Sequence, residues 1–166
     1  SVRYALQRLG VEAELTADAD SIRAADRVIL PGVSTAATVM YRLRELDLVE
    51  TLRRLRQPLL GVCVGMQLLF EHSEEDNTTC LGLLPGRVRR LPAGAGIRVP
   101  HMGWNVLTDL KSHPVLNGLK QDPHVYFVHS YALTAEHRDH VAARCDYGGK
   151  FVAAVARDNL FGTQFH

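Results

Sequence analysis

The stretch PLLGVCVGMQLLFEH, residues 58–72, decides the fold of this chain. Leu59 and Leu60 form a short apolar run between a proline and a glycine, which is typical of a buried parallel strand. The residues after Gly65 are good helix formers, and their apolar side chains recur on one face. The stretch therefore predicts a strand that turns sharply into a helix at Cys63.

Cys63 would occupy this turn, and its position favours chemistry. Gly61 and Gly65, two residues away on either side, let the backbone turn tightly without side-chain crowding. Backbone N–H groups at the start of the helix would stabilise a thiolate and could also hold an oxyanion. The alternative is a small apolar side chain at the end of a core strand, but such a cysteine does not need glycines at both offsets.

The overall composition restricts the classes of protein to which the chain can belong. The chain has 166 residues, of which 46% are hydrophobic and 22% charged, as in one ordinary soluble domain with a sizeable core. A formal net charge of +1 gives no electrostatic reason to expect nucleic acid or a membrane as partner. The three cysteines lack C-x-x-C spacing, which favours reduced thiols in a cytoplasmic protein and argues against disulfides or a zinc site.

Alternating strands and helices predict an α/β fold, in which a parallel sheet carries helices on both faces. No linker divides the chain, so residues 1–166 are expected to form a single domain. Helices are expected at residues 1–10 (capped by Ser1), 21–25 and 35–56, the last broken near Asp47. Strands are expected at residues 11–15, 27–30, 59–60, 84–91, 125–128, 141–145, 151–156 and 160–166.

A nucleophilic cysteine needs a base within hydrogen-bond reach, and two of the eight histidines are equal candidates. His166 and His129 each follow an expected strand, and sites in open parallel sheets form beyond the carboxyl ends of strands. The loop PGVS at residues 31–34 also follows a strand and could aim a backbone N–H at the turn around Cys63. The alternative for this loop is a simple strand-to-helix turn, in which Ser34 or Thr35 caps the helix.

The only tryptophan, Trp104, lies in the run PHMGWN at residues 100–105, which is expected to form a loop. A tryptophan beside a glycine in a loop is either a core anchor or an interface hot spot. The sequence alone does not separate these two roles.

Four motifs together resemble a known family. The turn GVCVGMQ at residues 61–67 and the final GTQFH at residues 162–166 resemble those of class I, triad-type glutamine amidotransferases. Within that class, PHMGWN at residues 100–105 and YFVHSY at residues 126–131 resemble the glutaminase subunits of imidazole glycerol phosphate synthase. The resemblance covers nearly the whole chain and implies a flavodoxin-like, mixed but mostly parallel central sheet with helices on both faces.

The resemblance also implies a mechanism. Cys63 would attack the carboxamide of glutamine, and water would then hydrolyse the resulting thioester to glutamate. His166, favoured over His129 by the resemblance alone, would take the thiol proton and pass it to the departing ammonia. The implied oxyanion-hole residues are Val64, Gly32 and Val33, and the implied residues of the glutamine pocket are Gly65, Gln67, Glu75, His129, Ser130 and Tyr131.

The same resemblance implies a partner protein. Ammonia would pass to a separate (β/α)₈-barrel synthase subunit, which makes imidazole glycerol phosphate in histidine biosynthesis. The implied assembly is a heterodimer with glutamine as substrate and no cofactor or metal. The implied partner interface consists of His101, Met102, Gly103, Trp104 and Asn105.

Three features depart from the family pattern. The family carries a catalytic Glu two residues after the histidine, whereas this sequence ends at His166. The family also begins with a strand before the first helix and closes with a helix after the histidine, so a domain cut at both ends, folding poorly alone, is expected. Ser34 stands where the family has a glycine, in a segment whose peptide is thought to reorient when the partner binds its substrate. A Cβ there would restrict that motion.

Two other interpretations stay open at this point. A different class I amidotransferase, or a flavodoxin-like cysteine hydrolase, would keep the turn around Cys63 but change the substrate. The MGWN run at residues 102–105 argues against both. A non-catalytic module that only docks on a barrel partner is the literal prediction for a chain without the family's Glu.

Overall fold

The computed structural model describes residues 2–94, 96–134 and 136–166, so the proposed cap Ser1 lies outside the described residues. The α-helices are α1 (Val2–Arg8), α2 (Ala19–Ala24), α3 (Ala36–Glu45), α4 (Val49–Arg53) and α5 (Val64–Gln67), and 3₁₀ turns cover Glu75–Asn77 and Pro114–Leu116. The strands are β1 (Val28–Leu30), β2 (Leu59–Val62), β3 (His72–Ser73), β4 (Thr78–Thr79), β5 (Arg87–Arg90), β6 (His101–Val106), β7 (His124–His129), β8 (Tyr131–Thr134), β9 (Val141–Asp146), β10 (Lys150–Arg157) and β11 (Leu160–Thr163). None of the helices in these ranges has the length and apolar character to cross a membrane.

Nine strands form one mixed sheet, with parallel strands at one end. β2 lies between β1 and β11 and pairs with both in parallel, and β11 folds back as a hairpin onto β10. The sheet continues from β10 through β8, β5 and β3 to β4, while β9 pairs with β10. β6 and β7 form a separate antiparallel pair, the β-ribbon. Because Val62 lies opposite Thr163, the end of β2 is next to the C-terminal residues 163–166.

The main sheet is covered differently on its two faces. Helices α2 to α5 contribute side chains such as Met40 to a core cluster that contains Leu59 and Val152 of the sheet. Phe151, the neighbour of Val152, belongs to a second cluster together with Phe127 of the β-ribbon. Val152 and Phe151 therefore point to opposite faces of the sheet, the helical layer and the β-ribbon, as the period of two along a strand requires.

The α/β class expected from the sequence is confirmed, and two details of the sheet differ from expectation. Antiparallel ladders outnumber parallel ladders among the described strands, because β10 pairs antiparallel with β8, β9 and β11, and β5 does so with β8. In the described ranges, α-helices build the core on one face, whereas the β-ribbon covers the other.

Most local expectations are confirmed, and two are wrong. The long helix breaks at Asp47, where φ is +53°, into α3 and α4. Residues 11–15 form no strand within the described part of the chain, and Val11 and Leu15 are exposed, so their alternation has no sheet to pack against. Residues 101–106, expected as a loop, form β6 because they pair along their whole length with β7.

Candidate active site

The strand–helix turn around Cys63 is present in the structure. β2 ends at Val62 and α5 begins at Val64, so Cys63 alone makes the turn, with φ +55° and ψ −112°. A residue with a Cβ rarely adopts this conformation, which costs about 1–3 kcal/mol and persists only where the surroundings enforce it. The N–H of Cys63 donates to the carbonyl of Thr163 at 2.7 Å, and this bond ties the turn to the end of β11.

Close backbone packing explains the glycines around the turn. A Cβ on Gly65 would overlap the carbonyl oxygen of Leu30, and a Cβ on Gly61 would lie 2.6 Å from the carbonyl oxygen of Gly65. A Cβ on Gly32 would lie 2.7 Å from the Cβ of Val64. These glycines let β1, β2 and α5 meet without side chains between them, and so they hold Cys63 at the edge of the sheet.

A cavity of about 520 Å³ adjoins the turn, a volume that suits a small-molecule ligand. Cys63 is only 5% exposed, so its sulfur borders the cavity without facing open solvent. Several parts of the chain meet there, among them the Cys63 turn, the loop after β1, the segment that joins β7 to β8, and the residues that follow β11. The lining residues are Val33, Ser34, Cys63, Val64, Gln67, Glu75, Pro100, Tyr126, Val128, His129, Ser130, Tyr131 and His166.

Two buried glutamine amides link Cys63 to the opposite side of the cavity. Nε2 of Gln164 donates to Sγ of Cys63 at 3.7 Å, and Oε1 of Gln164 accepts from Nε2 of Gln67 at 3.0 Å. Nε2 of Gln67 also donates to the backbone carbonyl of Tyr131 at 2.9 Å. Because both side chains are buried and hydrogen-bonded, they fix the sulfur and the Tyr131 carbonyl relative to each other.

The two groups that would react, the Cys63 thiol and the His166 imidazole, both have shifted pKa values. Burial raises the pKa of the Cys63 thiol, although the Val64 N–H and the Gln164 amide partly offset this rise, and Glu75 adds to it. Burial also lowers the pKa of His166. At pH 7 the pair is therefore a neutral thiol and a neutral imidazole. The Val64 N–H at the start of α5 favours the thiolate, as the sequence predicts, but α5 has only four residues and burial outweighs this effect.

The loop after β1 brings a second backbone segment to the cavity. Val33 is 87% exposed and lines the cavity beside Ser34. The hydroxyl of Thr35, rather than that of Ser34, caps α3 by accepting from the Thr38 N–H at 3.1 Å. Ser34 is therefore left at the cavity without the structural role of a helix cap.

The side chain of Glu75, in the 3₁₀ turn at residues 75–77, forms a hydrogen bond to the end of this loop. Its Oε2 accepts from the N–H of Ala36, at the start of α3, at 2.8 Å. Because Glu75 also lines the cavity, its carboxylate places a negative charge close to the Cys63 turn. Among the described residues, no cluster of three or more His, Cys, Asp or Glu side chains could hold a metal ion.

The structure brings most of the expected site residues to one cavity. No hydrogen bond joins Cys63 to His166 among the described residues, so the two share the cavity without direct bonding. Gly32 and Gly65 lie behind the turn, where they allow close packing. The expected residues that line the cavity are Val33, Cys63, Val64, Gln67, Glu75, His129, Ser130, Tyr131 and His166.

Sequence reasoning assigned no role to Gln164, which is completely buried beside the sulfur of Cys63. It also left Pro100, Tyr126 and Val128 out of the cavity lining. The available signal for Gln164 was its place in the GTQFH motif, two residues before His166. The sequence pattern gave a weaker indication for Pro100, Tyr126 and Val128, because the β-ribbon reaches the cavity only through tertiary packing.

The β-ribbon has one exposed apolar face and one buried face. Met102 and Trp104 are 62% and 71% exposed, and they pair across the strands with Val128 and Tyr126. Trp104 is therefore not a core anchor. His101, expected at the partner interface, is only 2% exposed, because alternation along β6 turns its side chain inward. The exposed part of the expected interface is the outward face with Met102 and Trp104.

The cysteine turn, the histidine that follows the last strand and the α/β sheet together define a class I glutamine amidotransferase. The family model described as "Glutamine amidotransferase class-I" matches residues 1–166. The chain belongs to this family.

Curated relatives narrow the class further. The chain is 55% identical over 166 residues to "Imidazole glycerol phosphate synthase subunit HisH" of Xylella fastidiosa (strain Temecula1), covering 100% of this chain and 82% of the relative. The protein of the same name from Xanthomonas axonopodis pv. citri is also 55% identical, with the same coverage of both chains. Within the class, the chain belongs to the HisH family.

Solved structures support the fold. A structure titled "Crystal structure of glutamine amidotransferase" superposes with a TM-score of 0.73 at 22% identity, covering 99% of this chain and 82% of the other. A putative GMP synthase subunit from Thermoplasma acidophilum also gives a TM-score of 0.73, at 19% identity and with coverage of 99% and 76%. At these identities the likeness shows a shared fold.

Proposed function

We propose that this protein hydrolyses glutamine to glutamate and ammonia, and that the ammonia passes to a synthase subunit that makes imidazole glycerol phosphate in histidine biosynthesis. One observation carries the proposal: a strained cysteine turn borders a cavity that also contains His166, Gln67 and Glu75. Residues 1–166 would act as one amidotransferase domain. The described cysteines are free and buried, which suits a reducing cytoplasm.

The reaction would proceed through a thioester on Cys63. His166 takes the thiol proton while the sulfur bonds to the carboxamide carbon, and the same proton leaves with ammonia as the C–N bond breaks. Water then bonds to the acyl carbon while His166 takes one of its protons, the C–S bond breaks, that proton passes to the sulfur to restore the thiol, and glutamate departs. Hydrogen bonds between catalytic groups are often long in the absence of substrate and tighten when it binds. The separate positions of Cys63 and His166 in the cavity are compatible with this sequence of steps.

Two backbone segments would stabilise the tetrahedral oxyanion. The N–H of Val64 lies beside the sulfur of Cys63, and a second donor would come from Gly32 or Val33. Such donors stabilise the charge that develops in the transition state, typically by about 3–4 kcal/mol each. The contact between Gly32 and Val64 brings both segments to the same point.

The remaining polar groups of the cavity would bind the amino-acid end of glutamine. The Glu75 carboxylate would attract the α-ammonium group. Backbone groups of Ser130 and Tyr131 would contact the α-carboxylate, with Gln67 and His129 holding the Tyr131 carbonyl in place. These two side chains would act by fixing the backbone at the pocket.

The exposed face of the β-ribbon would bind the partner. We place a (β/α)₈-barrel synthase subunit there, forming a heterodimer, because Met102, Trp104, Tyr126 and Val128 form a continuous apolar surface. Aromatic side chains of this kind dominate the energy of protein interfaces. Tyr126 and Val128 also line the cavity, so ammonia formed at Cys63 would leave next to the docked partner.

The proposed function is tested by measuring ammonia release from glutamine with and without the synthase subunit. We expect glutamate and ammonia in equal amounts, at a rate that the partner increases. Trp104→Ala should weaken partner binding by about 2 kcal/mol, or about 30-fold, because it removes the largest exposed anchor. A protein that binds the partner but releases no ammonia from glutamine would contradict the proposed activity.

Replacing Ser34 should change the rate of glutamine hydrolysis. Ser34→Gly removes a Cβ from a segment proposed to supply an oxyanion donor, and the added backbone freedom is worth about 0.5–1 kcal/mol. We expect the resting or partner-stimulated rate to rise about two- to fivefold, measured as initial rates at saturating glutamine. Ser112→Gly, at an exposed loop serine, is the matched control and should leave both rates unchanged. Equal rates for Ser34→Gly and the parent protein would show that Ser34 has no such role.

A further inference from the structure

A continuous chain of hydrogen bonds runs from the inner face of the β-ribbon to the glutamine pocket. It begins at Asn105, whose Nδ2 lies 3.3 Å from Nε2 of His101. Nδ1 of His101 lies 3.1 Å from Nε2 of His129, and Nδ1 of His129 lies 3.0 Å from the carbonyl oxygen of Tyr131. That carbonyl also accepts from Gln67, which leads on to the glutamine amides beside the catalytic sulfur.

The neighbouring groups determine which nitrogen of each imidazole carries the proton in this series of hydrogen bonds. The Oδ1 of Asn105 accepts from the Val106 N–H at 2.8 Å, and its Nδ2 donates to the Asp146 carbonyl at 2.9 Å. The second hydrogen on Nδ2 therefore points to Nε2 of His101, which accepts. His101 must then carry its proton on Nδ1 and donate to His129. His129 in turn must carry its proton on Nδ1 to reach a carbonyl oxygen.

Both imidazoles are held in the neutral form that this arrangement needs. Burial lowers the pKa of His129 to about 4, and it also lowers the pKa of His101. The ring of His101 stacks on Tyr147 at 3.9 Å and on Phe127 at 4.8 Å between centroids. The ring is therefore fixed in position, and each of its nitrogens has a partner.

The two histidines of this chain of bonds reach the Tyr131 carbonyl at the place where the β-ribbon joins the main sheet. β7 ends at His129, and β8, which pairs with β5 and β10, begins at Tyr131. Ser130 is thus the single residue that crosses between the two sheets, and residues 129–131 line the cavity. The ribbon has further ties to the sheet, because the His166 N–H donates to the Tyr126 carbonyl at 3.0 Å and Asn105 bonds to the Asp146 carbonyl at 2.9 Å. The crossing at Ser130 is the shortest covalent connection between the two, so a shift of the ribbon acts directly on residues 129–131.

Side chains on the two faces of β6 share one backbone, so a displacement at the exposed face also moves the buried face. Met102 and Trp104 point outward from the strand, whereas His101 points inward to the histidine pair. A partner that presses on the outward face moves the same backbone that carries the inward imidazole. The displacement reaches the Tyr131 carbonyl through two hydrogen bonds.

On the basis of the proposed glutaminase function, we propose that His101 and His129 are positioning residues whose mutual hydrogen bond couples partner docking on the β-ribbon to the geometry of the glutamine pocket. The bond fixes the orientation of residues 129–131, where the β-ribbon joins the main sheet. It thereby fixes the positions of the Tyr131 carbonyl, Gln67 and Gln164 relative to the catalytic sulfur. Neither imidazole touches the reacting atoms in this role.

His101→Phe tests the coupling. The phenyl ring keeps the stacking on Tyr147 and Phe127 but removes the donor to His129. We expect the ratio of partner-stimulated to resting glutaminase rates to fall about tenfold, and the KM for glutamine to rise, a size usual for coupling between sites. A variant that is merely less well folded loses active molecules equally in both assays, so this ratio and KM would not move. Tyr147→Phe, which keeps the ring and loses only its bond to the Arg98 carbonyl, is the matched control and should keep the parent ratio within about twofold.

A double variant adds an independent check. If His101 and His129 act through one bond, the double variant with Phe at both positions should lose no more stimulation than His129→Phe alone. Asn105→Ala, at a half-buried position, should lower the stimulation ratio in the same direction and decides the question if His101→Phe does not fold. A stimulation ratio within about twofold of the parent in the folded variant would overturn the coupling, whatever happens to KM. Absence of glutaminase in the parent protein would instead overturn the proposed function.

Discussion

Replacing Cys63 by serine is expected to reduce glutamine hydrolysis by at least about 10⁴-fold, the usual scale for loss of a catalytic nucleophile. A hydroxyl at this position is far less acidic and less nucleophilic than a thiol, and His166 is not bonded to it in the resting site. The partner should not restore activity, because it acts on the geometry of the pocket. Initial rates of glutamate formation, with and without the synthase subunit, measure the effect.

The matched control for this variant is Cys145→Ala. Cys145 is as buried as Cys63 but lies outside the cavity, and burial raises the pKa of its thiol to about 11. We expect the control to keep its rate per folded molecule within about threefold, because it removes one small core side chain. Residual turnover by Cys63→Ser above a hundredth of the parent rate would mean that another group attacks the amide.

Replacing Gly65 by alanine should be the most destructive single methyl addition at this site. The new Cβ would overlap the carbonyl oxygen of Leu30, which is backbone and cannot move aside as a flexible side chain can. β1 and α5 would have to separate, so we expect a loss of about 3 kcal/mol or more of unfolding free energy, together with loss of glutaminase. Chemical denaturation of the protein measures the first effect, and the glutaminase assay measures the second.

Gly118→Ala separates steric overlap from backbone strain. Gly118 has φ +85°, and a Cβ there would meet no atom within 4 Å. Its replacement should cost only about 1–2 kcal/mol, the usual penalty for a side chain in the left-handed region. If Gly65→Ala cost no more than Gly118→Ala, the close approach of β1 to the cysteine turn would not be a requirement of the fold.

The parts of the fold that the sequence predicted are those with a local physical cause. The turn at Cys63 could be predicted because glycines at both offsets have a steric reason that the structure bears out at Gly61 and Gly65. The helix break at Asp47 and the final hairpin also follow from short-range pattern. Cys63 and His166 line the same cavity because the carboxyl ends of β2 and β11 lie side by side, which is the arrangement expected for neighbouring parallel strands.

The parts that could not be predicted depend on long-range pairing. The sequence predicts a loop at residues 101–106 because these residues have no strand pattern without β7, which lies about twenty residues further along the chain. The inward position of His101 follows only from that pairing. The raised pKa of the Cys63 thiol was missed for the same reason, since burial by distant segments outweighs the one-turn helix. The burial of Gln164 beside the sulfur likewise requires the packed site.

The most direct test of the account is reaction of the protein with an electrophilic analogue of glutamine, followed by mass spectrometry of its peptides. The cavity should bind the amino-acid end of the analogue and present its electrophilic carbon to the sulfur of Cys63. We predict one adduct, on Cys63, which excess glutamine prevents, and no adduct on Cys80 or Cys145, whose thiols burial keeps at a pKa of about 11. Equal labelling of all three cysteines, or labelling of Cys63 that glutamine does not reduce, would contradict the account.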